Sequence, residues 1–303
     1  MNSAAKSIQS DNQTIDLLPR WITLPQAETP ETVAFLSGAA LAMLDVMLRD
    51  PGGRLPAALL RDRLALKAAA ACLKLENRTE TAFDIRDAVC LARVGDALGP
   101  AGEMFVAWRK LARISLTTGG WKDRAGKVLP AAVADVAMSR LGSLSGTPVE
   151  QAGQILVDVL RQFPREEAAA LMLADVALAR AVGWDRLVPL LAAHMECKEV
   201  RAISEAGDDA VQAVHQAMVA ACDGAIRLAA DVDRRVAKLR AVAPKLRAKG
   251  SDDAVEMFVS EDAMMPAALP LADRAARRLC DRLVDLGAVR ELTGRSTFRL
   301  YGV

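Results

Sequence analysis

The stretch Leu271-Ala-Asp-Arg-Ala-Ala-Arg-Arg-Leu-Cys-Asp-Arg-Leu-Val-Asp-Leu286, halted by Gly287, decides how the chain is read. Ala272, Ala275, Ala276, Leu279, Leu283 and Leu286 recur at helical spacing and predict one apolar face. Arg274, Arg277, Arg278 and Arg282 fall outside that face. Gly287 stands where a helix end needs a left-handed residue without a Cβ penalty. Beyond it, Ala288-Val-Arg-Glu-Leu292 and Thr297-Phe-Arg-Leu-Tyr301 alternate apolar and polar residues, and Thr293-Gly-Arg-Ser296 is rich in turn formers, so a β-hairpin is expected. With two short helices expected over residues 251–270, the order is that of a winged helix, whose third helix enters the major groove of DNA. The competing reading is a helix and hairpin that merely close a helical domain.

In that module Arg274, Arg277 and Arg278 occupy the first half of the recognition helix, followed by Arg282. Arginine grips guanine in bidentate fashion or clamps phosphate. Arg295 at the wing tip, with Arg299 and Arg290 on the flanking strands, is placed to follow the backbone or enter the minor groove. Pairing within the helix competes, Arg277 with Asp273 or Asp281, Arg278 with Asp281 and Arg282 with Asp285. Such pairs contribute only about 0.2–0.5 kcal/mol each. They do not by themselves account for the arginine density.

Charge follows the same division. Residues 271–303 hold seven arginines against Asp273, Asp281, Asp285 and Glu291. Residues 225–250 hold eight basic side chains against Asp231 and Asp233, whereas residues 251–270 hold five acids and no base. The whole chain carries only +1, which excludes a globally basic nucleic-acid protein but not a local patch. Apolar residues make up 52% and aromatics 4%, so a large alanine- and leucine-rich helical core is available and a single-strand binder that stacks bases on rings is disfavoured. The fold class expected is mainly α, a multi-helix bundle followed by the winged module and its short hairpin.

Working back towards the N-terminus, residues 1–28 read as a disordered or extended lead, in which Leu17-Leu-Pro-Arg-Trp21 docks an apolar end. An N-terminal helical unit is expected over 29–115, opening with Thr29 as N-cap and Pro30 at the first helical position. Its later helices are expected at about 55–76, from a Thr79-Glu80 cap to 92, and around Phe105, Trp108 and Leu111. Asp50-Pro-Gly-Gly-Arg54 is a turn, and residues 117–126 form the best internal boundary. A second unit over 127–250 is expected to hold helices at about 130–141, 148–162, 165–181 and 185–196; Thr147-Pro-Val-Glu150 is a capping box. From 208 a long helix follows. Val211, Met218, Ala225, Val232 and Leu239, with companions His215, Cys222, Ala229 and Val236, repeat every seven residues. That strip suits either a coiled-coil seam between two chains or a helix laid along its own bundle. Pro244 ends or kinks it, and residues 245–250 read as a basic hinge.

Motifs for catalysis, metals and cofactors fail on inspection. Gly119-Gly-Trp-Lys-Asp-Arg-Ala-Gly-Lys127 has Trp121 where a phosphate loop needs its first glycine, and Val128 in place of the hydroxyl residue. Gly142-Ser-Leu-Ser-Gly146 misses the nucleophile elbow by one position. His194-Met-Glu196 lacks the Pro-Cys-x-x-Cys of a zinc deaminase, and His194 and His215 are the only histidines. The five cysteines are scattered and odd in number, which argues for free thiols in a reducing cytoplasm. Asp208-Asp209 and Asp252-Asp253 read as helix starts. The N-terminus lacks a signal-peptide pattern, and no apolar run of the ~18 residues a membrane span needs is apparent.

The residues Arg277-Arg-Leu-Cys-Asp-Arg-Leu-Val-Asp-Leu-Gly-Ala-Val-Arg-Glu-Leu-Thr-Gly-Arg-Ser-Thr-Phe-Arg-Leu-Tyr-Gly302 resemble the C-terminus of a bacterial family, the domain-of-unknown-function 1403 family. Gly38-Ala-Ala-Leu-Ala-Met-Leu-Asp45 and Leu173-Ala-Asp-Val-Ala-Leu-Ala-Arg-Ala-Val-Gly-Trp184 are similar to other segments of it. The likeness covers nearly the whole chain and implies no activity. A looser likeness is to helical proteins with a C-terminal helix-turn-helix related to non-catalytic parts of Fic-type enzymes. Neither histidine is followed by the Pro-Phe of Fic catalysis, so adenylyl transfer is not implied.

The expectation is therefore a cytoplasmic, non-enzymatic, regulator-like protein without cofactor or metal. Arg274, Arg277, Arg278, Arg282, Arg295 and Arg299 would bind duplex DNA, while the helical body would dimerise or contact a partner and no membrane would be involved. The alternatives are a protein-interaction adaptor with no DNA role and an enzyme whose site is assembled from scattered residues.

Overall fold

A computed structural model describes residues 15–23, 29–49, 55–205, 210–246 and 249–303. Most of the expected lead, the turn at 50–54, the Asp208-Asp209 pair and part of the basic hinge lie outside these residues. In chain order the helices are α1 (Arg20–Thr23), α2 (Pro30–Leu48), α3 (Ala57–Leu75), α4 (Ala82–Cys90), α5 (Gly99–Arg113), α6 (Trp121–Gly126) and α7 (Ala131–Arg140). They continue with α8 (Pro148–Gln162), α9 (Glu167–Val182), α10 (Leu191–His194), α11 (Cys197–Glu205), α12 (Ala210–Val242), α13 (Ser251–Ser260) and α14 (Asp273–Asp285). One antiparallel sheet pairs β1 (Arg290–Glu291) with β2 (Tyr301–Gly302), Arg290 opposite Gly302 and Glu291 opposite Tyr301.

Local chemistry sets many of these ends. The Thr29 hydroxyl accepts from the Thr32 amide at 3.3 Å, and Pro30 opens α2. Thr147 and Glu150 cap α8 reciprocally, the Thr147 amide reaching the Glu150 carboxylate at 2.7 Å. Gly287, at φ 61°, closes the last helix in the left-handed conformation. The cap of α4 is Thr81 with Asp84, two residues beyond the Thr79-Glu80 start expected from sequence. Instead of a helix over 185–196, only α10 forms. Asp175 of α9, 1% exposed, accepts the Leu190 and Leu191 amides at 3.0 and 3.2 Å and so engages the first donors of that turn.

The apolar strip of α12 faces its own chain. Met218, Cys222, Ala225 and Ala229 are buried in a core extending from Leu18 to Ala229, packed along α2, α8 and α10. Residues on both sides of the boundary expected at 117–126 belong to this core. Farther along the same helix, Val232, Val236, Leu239 and Val242 enter a second core with Phe258, Leu279, Leu283, Tyr301 and Val303. Leu59 of α3 joins that second core. A helix of 33 residues, about 50 Å long, is thus shared by both. It stops at a 3-10 turn over Ala243–Lys245 that contains Pro244.

One expectation from the sequence is corrected. Within the described residues α2 is 19 residues long and apolar enough, by length and composition, to cross a membrane. A third of its apolar window is buried in this fold. It is apolar on more than one side because Leu36, Ala40 and Leu44 pack inward while Phe35 and Val46 remain exposed.

Candidate nucleic-acid interface

On α14, Ala276, Leu279, Cys280 and Leu283 are buried in the second core. Three- and four-residue spacing leaves the opposite side to charge. Arg274, Arg278 and Arg282, four residues apart, are all exposed and share a stripe. Arg274 and Arg278 form no ion pair with a described residue. Arg277 lies off the stripe and pairs with Asp273 at 3.0 Å, one of the pairs expected from sequence.

The end of α12 adjoins this stripe. Arg282 Nη2 donates to the Lys245 carbonyl at 3.4 Å. The Lys238 ammonium approaches Gly287 so closely that a Cβ there would lie 2.7 Å from Nζ. Lys238 and Lys245, both exposed, thus lie near the end of the stripe, which the exposed Asp281 and Asp285 of the same helix share with Arg274, Arg278 and Arg282. The two basic stretches of the C-terminal third meet here.

The wing arginines point to a different use. Arg295 pairs with Asp87 of α4 at 2.6 Å, tying the hairpin tip to the body. Arg299 donates to the Arg295 carbonyl at 3.0 Å. Hydrogen bonding with Tyr301 and the nearby Glu291 charge hold its guanidinium above the usual value. The hairpin is also shorter than the alternation implied, with Phe298 at φ 53° and 70% exposed in the connecting loop. Its root is buried, Leu300, Tyr301 and Val303 being 0%, 3% and 1% exposed. Met264 bridges Tyr301, each amide donating to the other's carbonyl at 2.9 Å. Between α13 and α14 only a 3-10 turn, Pro266–Ala268, replaces the expected second short helix. Pro266 and Pro270 limit its extension by removing amide donors.

What anchors the module was not visible in the sequence. Asp262, 3% exposed, receives Arg63 at 3.2 Å and Arg86 at 2.6 Å. Its neighbour Glu261 receives Arg113 at 3.1 Å and also binds Arg109; both arginines reach the buried Asp62. Arg63 additionally donates to the Val303 carbonyl. Burial lowers the Arg63 pKa, and Asp262 opposes that shift. Two carboxylates of the acidic stretch before α14 are thus consumed by arginines of α3, α4 and α5. They do not face the stripe. Arg290 stands beside this knot, its pKa lowered by burial and by the Arg235 and Arg86 charges.

A sequence profile of a family described as protein of unknown function (DUF1403) matches residues 6–303. None of the curated proteins compared with the chain matches it.

Proposed function

The chain belongs to the family described as protein of unknown function (DUF1403), and we propose that it binds duplex DNA through a C-terminal winged helix. The observation that carries this reading is the exposed arginine stripe on α14, whose Arg274 and Arg278 form no ion pair with a described residue, with Lys238 of α12 and Lys245 just beyond that helix close by. The order α13, Met264 bridge, turn, α14 and hairpin supports it as a winged module with an abbreviated second helix. Arg274 and Arg278 meet base edges or phosphates as α14 enters the major groove, and Arg282, Lys238 and Lys245 follow the flanking phosphates. Arg277 plays a lesser part because Asp273 already engages it. Arg295 braces the wing against the body and Arg299 bonds within the hairpin, narrower roles than DNA contact. In this reading the protein is a cytoplasmic regulator without catalytic activity, and its helical body dimerises or contacts a partner.

Electrophoretic mobility shift across salt concentrations tests the proposal. Affinity should fall by orders of magnitude between about 50 and 200 mM salt if six or more phosphates are contacted, less for fewer contacts. Replacing Arg274, Arg278 and Arg282 by alanine should reduce the log–log salt slope by about three if each meets a phosphate. Arg295→Ala should change it little. Absence of any shift at about 50 mM salt would remove the DNA reading.

A second reading, an adaptor with no DNA role, draws on the exposed Trp21–Phe35 pair, stacked with centroids 6.0 Å apart. It predicts that the triple arginine variant keeps its biological role and that Phe35→Asp loses it.

A further inference from the structure

Away from the DNA module, α2 and the start of α8 enclose a groove of about 340 Å3. Ala34, Gly38 and Ala42 of α2 form one wall, and Val149 and Val182 stand on the opposite side. This volume and mainly apolar lining suit a small organic molecule. At the groove are two buried polar side chains, Ser37 and His215, 0% and 7% exposed.

One arrangement of their protons leaves an acceptor open. Ser37 Oγ donates to the Ala34 carbonyl at 2.9 Å and lies 2.5 Å from His215 Nδ1. A serine hydroxyl has a single proton. With that proton on Ala34, Nδ1–H donates to Ser37 and the neutral ring keeps a lone pair on Nε2. Burial favours this neutral form, lowering the His215 pKa against the pull of Glu150. Nε2 makes no hydrogen bond to a described residue.

The charged residues lining the groove are acidic, and Arg49 stands at its rim, bonded to Asp45 and to the Val182 carbonyl. Asp45 and Glu150 line it, with no lysine or arginine among the lining residues. Asp45 is already engaged by Arg49 at 2.7 Å and the Trp184 indole at 2.6 Å. Glu150 caps α8 but forms no ion pair with a described residue. Hydrogen bonds from the Thr147 backbone and side chain lower its pKa and keep it ionised. A neutral imidazole acceptor, an ionised carboxylate and apolar walls together match an ammonium group on a hydrocarbon body.

We propose that this groove binds a small apolar primary amine, its ammonium donating to His215 Nε2 and Glu150 and its hydrocarbon part lying along Ala34, Gly38 and Ala42. Isothermal titration of the full chain with cyclohexylmethylamine, and with cyclohexanecarboxylate as the matched acid, tests it. The amine should saturate a single site and the acid should bind at least about tenfold more weakly. Glu150→Gln keeps the capping geometry and should weaken the amine by about tenfold or more. A Cβ on Gly38 meets nothing within 4 Å, so Gly38→Leu should fold normally while filling the groove and abolishing binding. The His215 Nε2 resonance in a 15N spectrum should move with the titration. Equal binding of the acid, no saturation by about 10 mM amine, or undiminished binding to Gly38→Leu would each overturn the proposal. None of these readouts depends on DNA.

Discussion

Removing the Asp262 carboxylate leaves Arg63 and Arg86 facing each other without their shared anion. Arg63 is mostly buried, so water cannot easily replace that partner. Asp262→Ala should cost about 3–5 kcal/mol, the usual penalty for breaking one side of a buried ion pair. The midpoint of urea unfolding measures it. A loss below about 1 kcal/mol would mean the pair behaves as a surface bridge. His194 provides a second test. Burial holds its pKa down at about 4 from 6.5, with the Leu190 carbonyl hydrogen bond opposing. The folded ring is neutral while the unfolded ring takes a proton near pH 6.5. Its stabilising contribution is therefore full above that pH and lost as pH falls towards 4. The slope should approach about 1.4 kcal/mol per pH unit within that window. His194→Gln should flatten it when urea unfolding is measured from pH 7 to 4.5. An unchanged slope would assign the effect to other groups.

Among elements, β2 is tightly constrained because a Cβ on Gly302 would collide with the Asp262 carbonyl. Gly302→Ala should cost about 1–3 kcal/mol and accelerate amide exchange at Met264 and Tyr301, whose mutual hydrogen bonds close the sheet. Gly294, at positive φ but with open space around it, should cost only about 1–2 kcal/mol as alanine and leave those amides protected. Equal acceleration of the Met264 and Tyr301 amides by the two substitutions would refute tight docking of the hairpin root. Helix boundaries were legible where a side chain caps its own backbone, as at Thr29 and Thr147, because the partner lies within three residues. The 185–196 segment was misread for the complementary reason. Its backbone is captured by Asp175, a residue of the preceding helix whose reach no local periodicity reveals.

Across the whole molecule, α12 couples the two cores. Trp108, Trp121 and Trp184 lie in the first core, whereas Phe258 lies in the second. Phe258→Ala should lower stability by about 3–5 kcal/mol. Tryptophan fluorescence should report that loss as fully as circular dichroism, because fraying one end of the shared helix destabilises the other. A separate early transition seen only by circular dichroism would show the cores to be independent. The candidate site divided along the same line. The arginine stripe of α14 was visible as spacing, but which arginines remain unpaired was not.

Sequence alone determined the helical class, the apolar row of α12, the glycine stop of the last helix and the family, because these depend on side-chain period and near neighbours. Tertiary structure decided the charge. Asp87 meets Arg295 across 208 residues and Asp262 meets Arg63 across 199, so neutralisation of the wing and of the acidic stretch is set by distances that chain order does not encode. It also brought Ser37 and His215 together across 178 residues, for the same reason. A hydrogen bond or an ion pair acts over a few ångströms of space, and only the folded chain fixes which groups are that close.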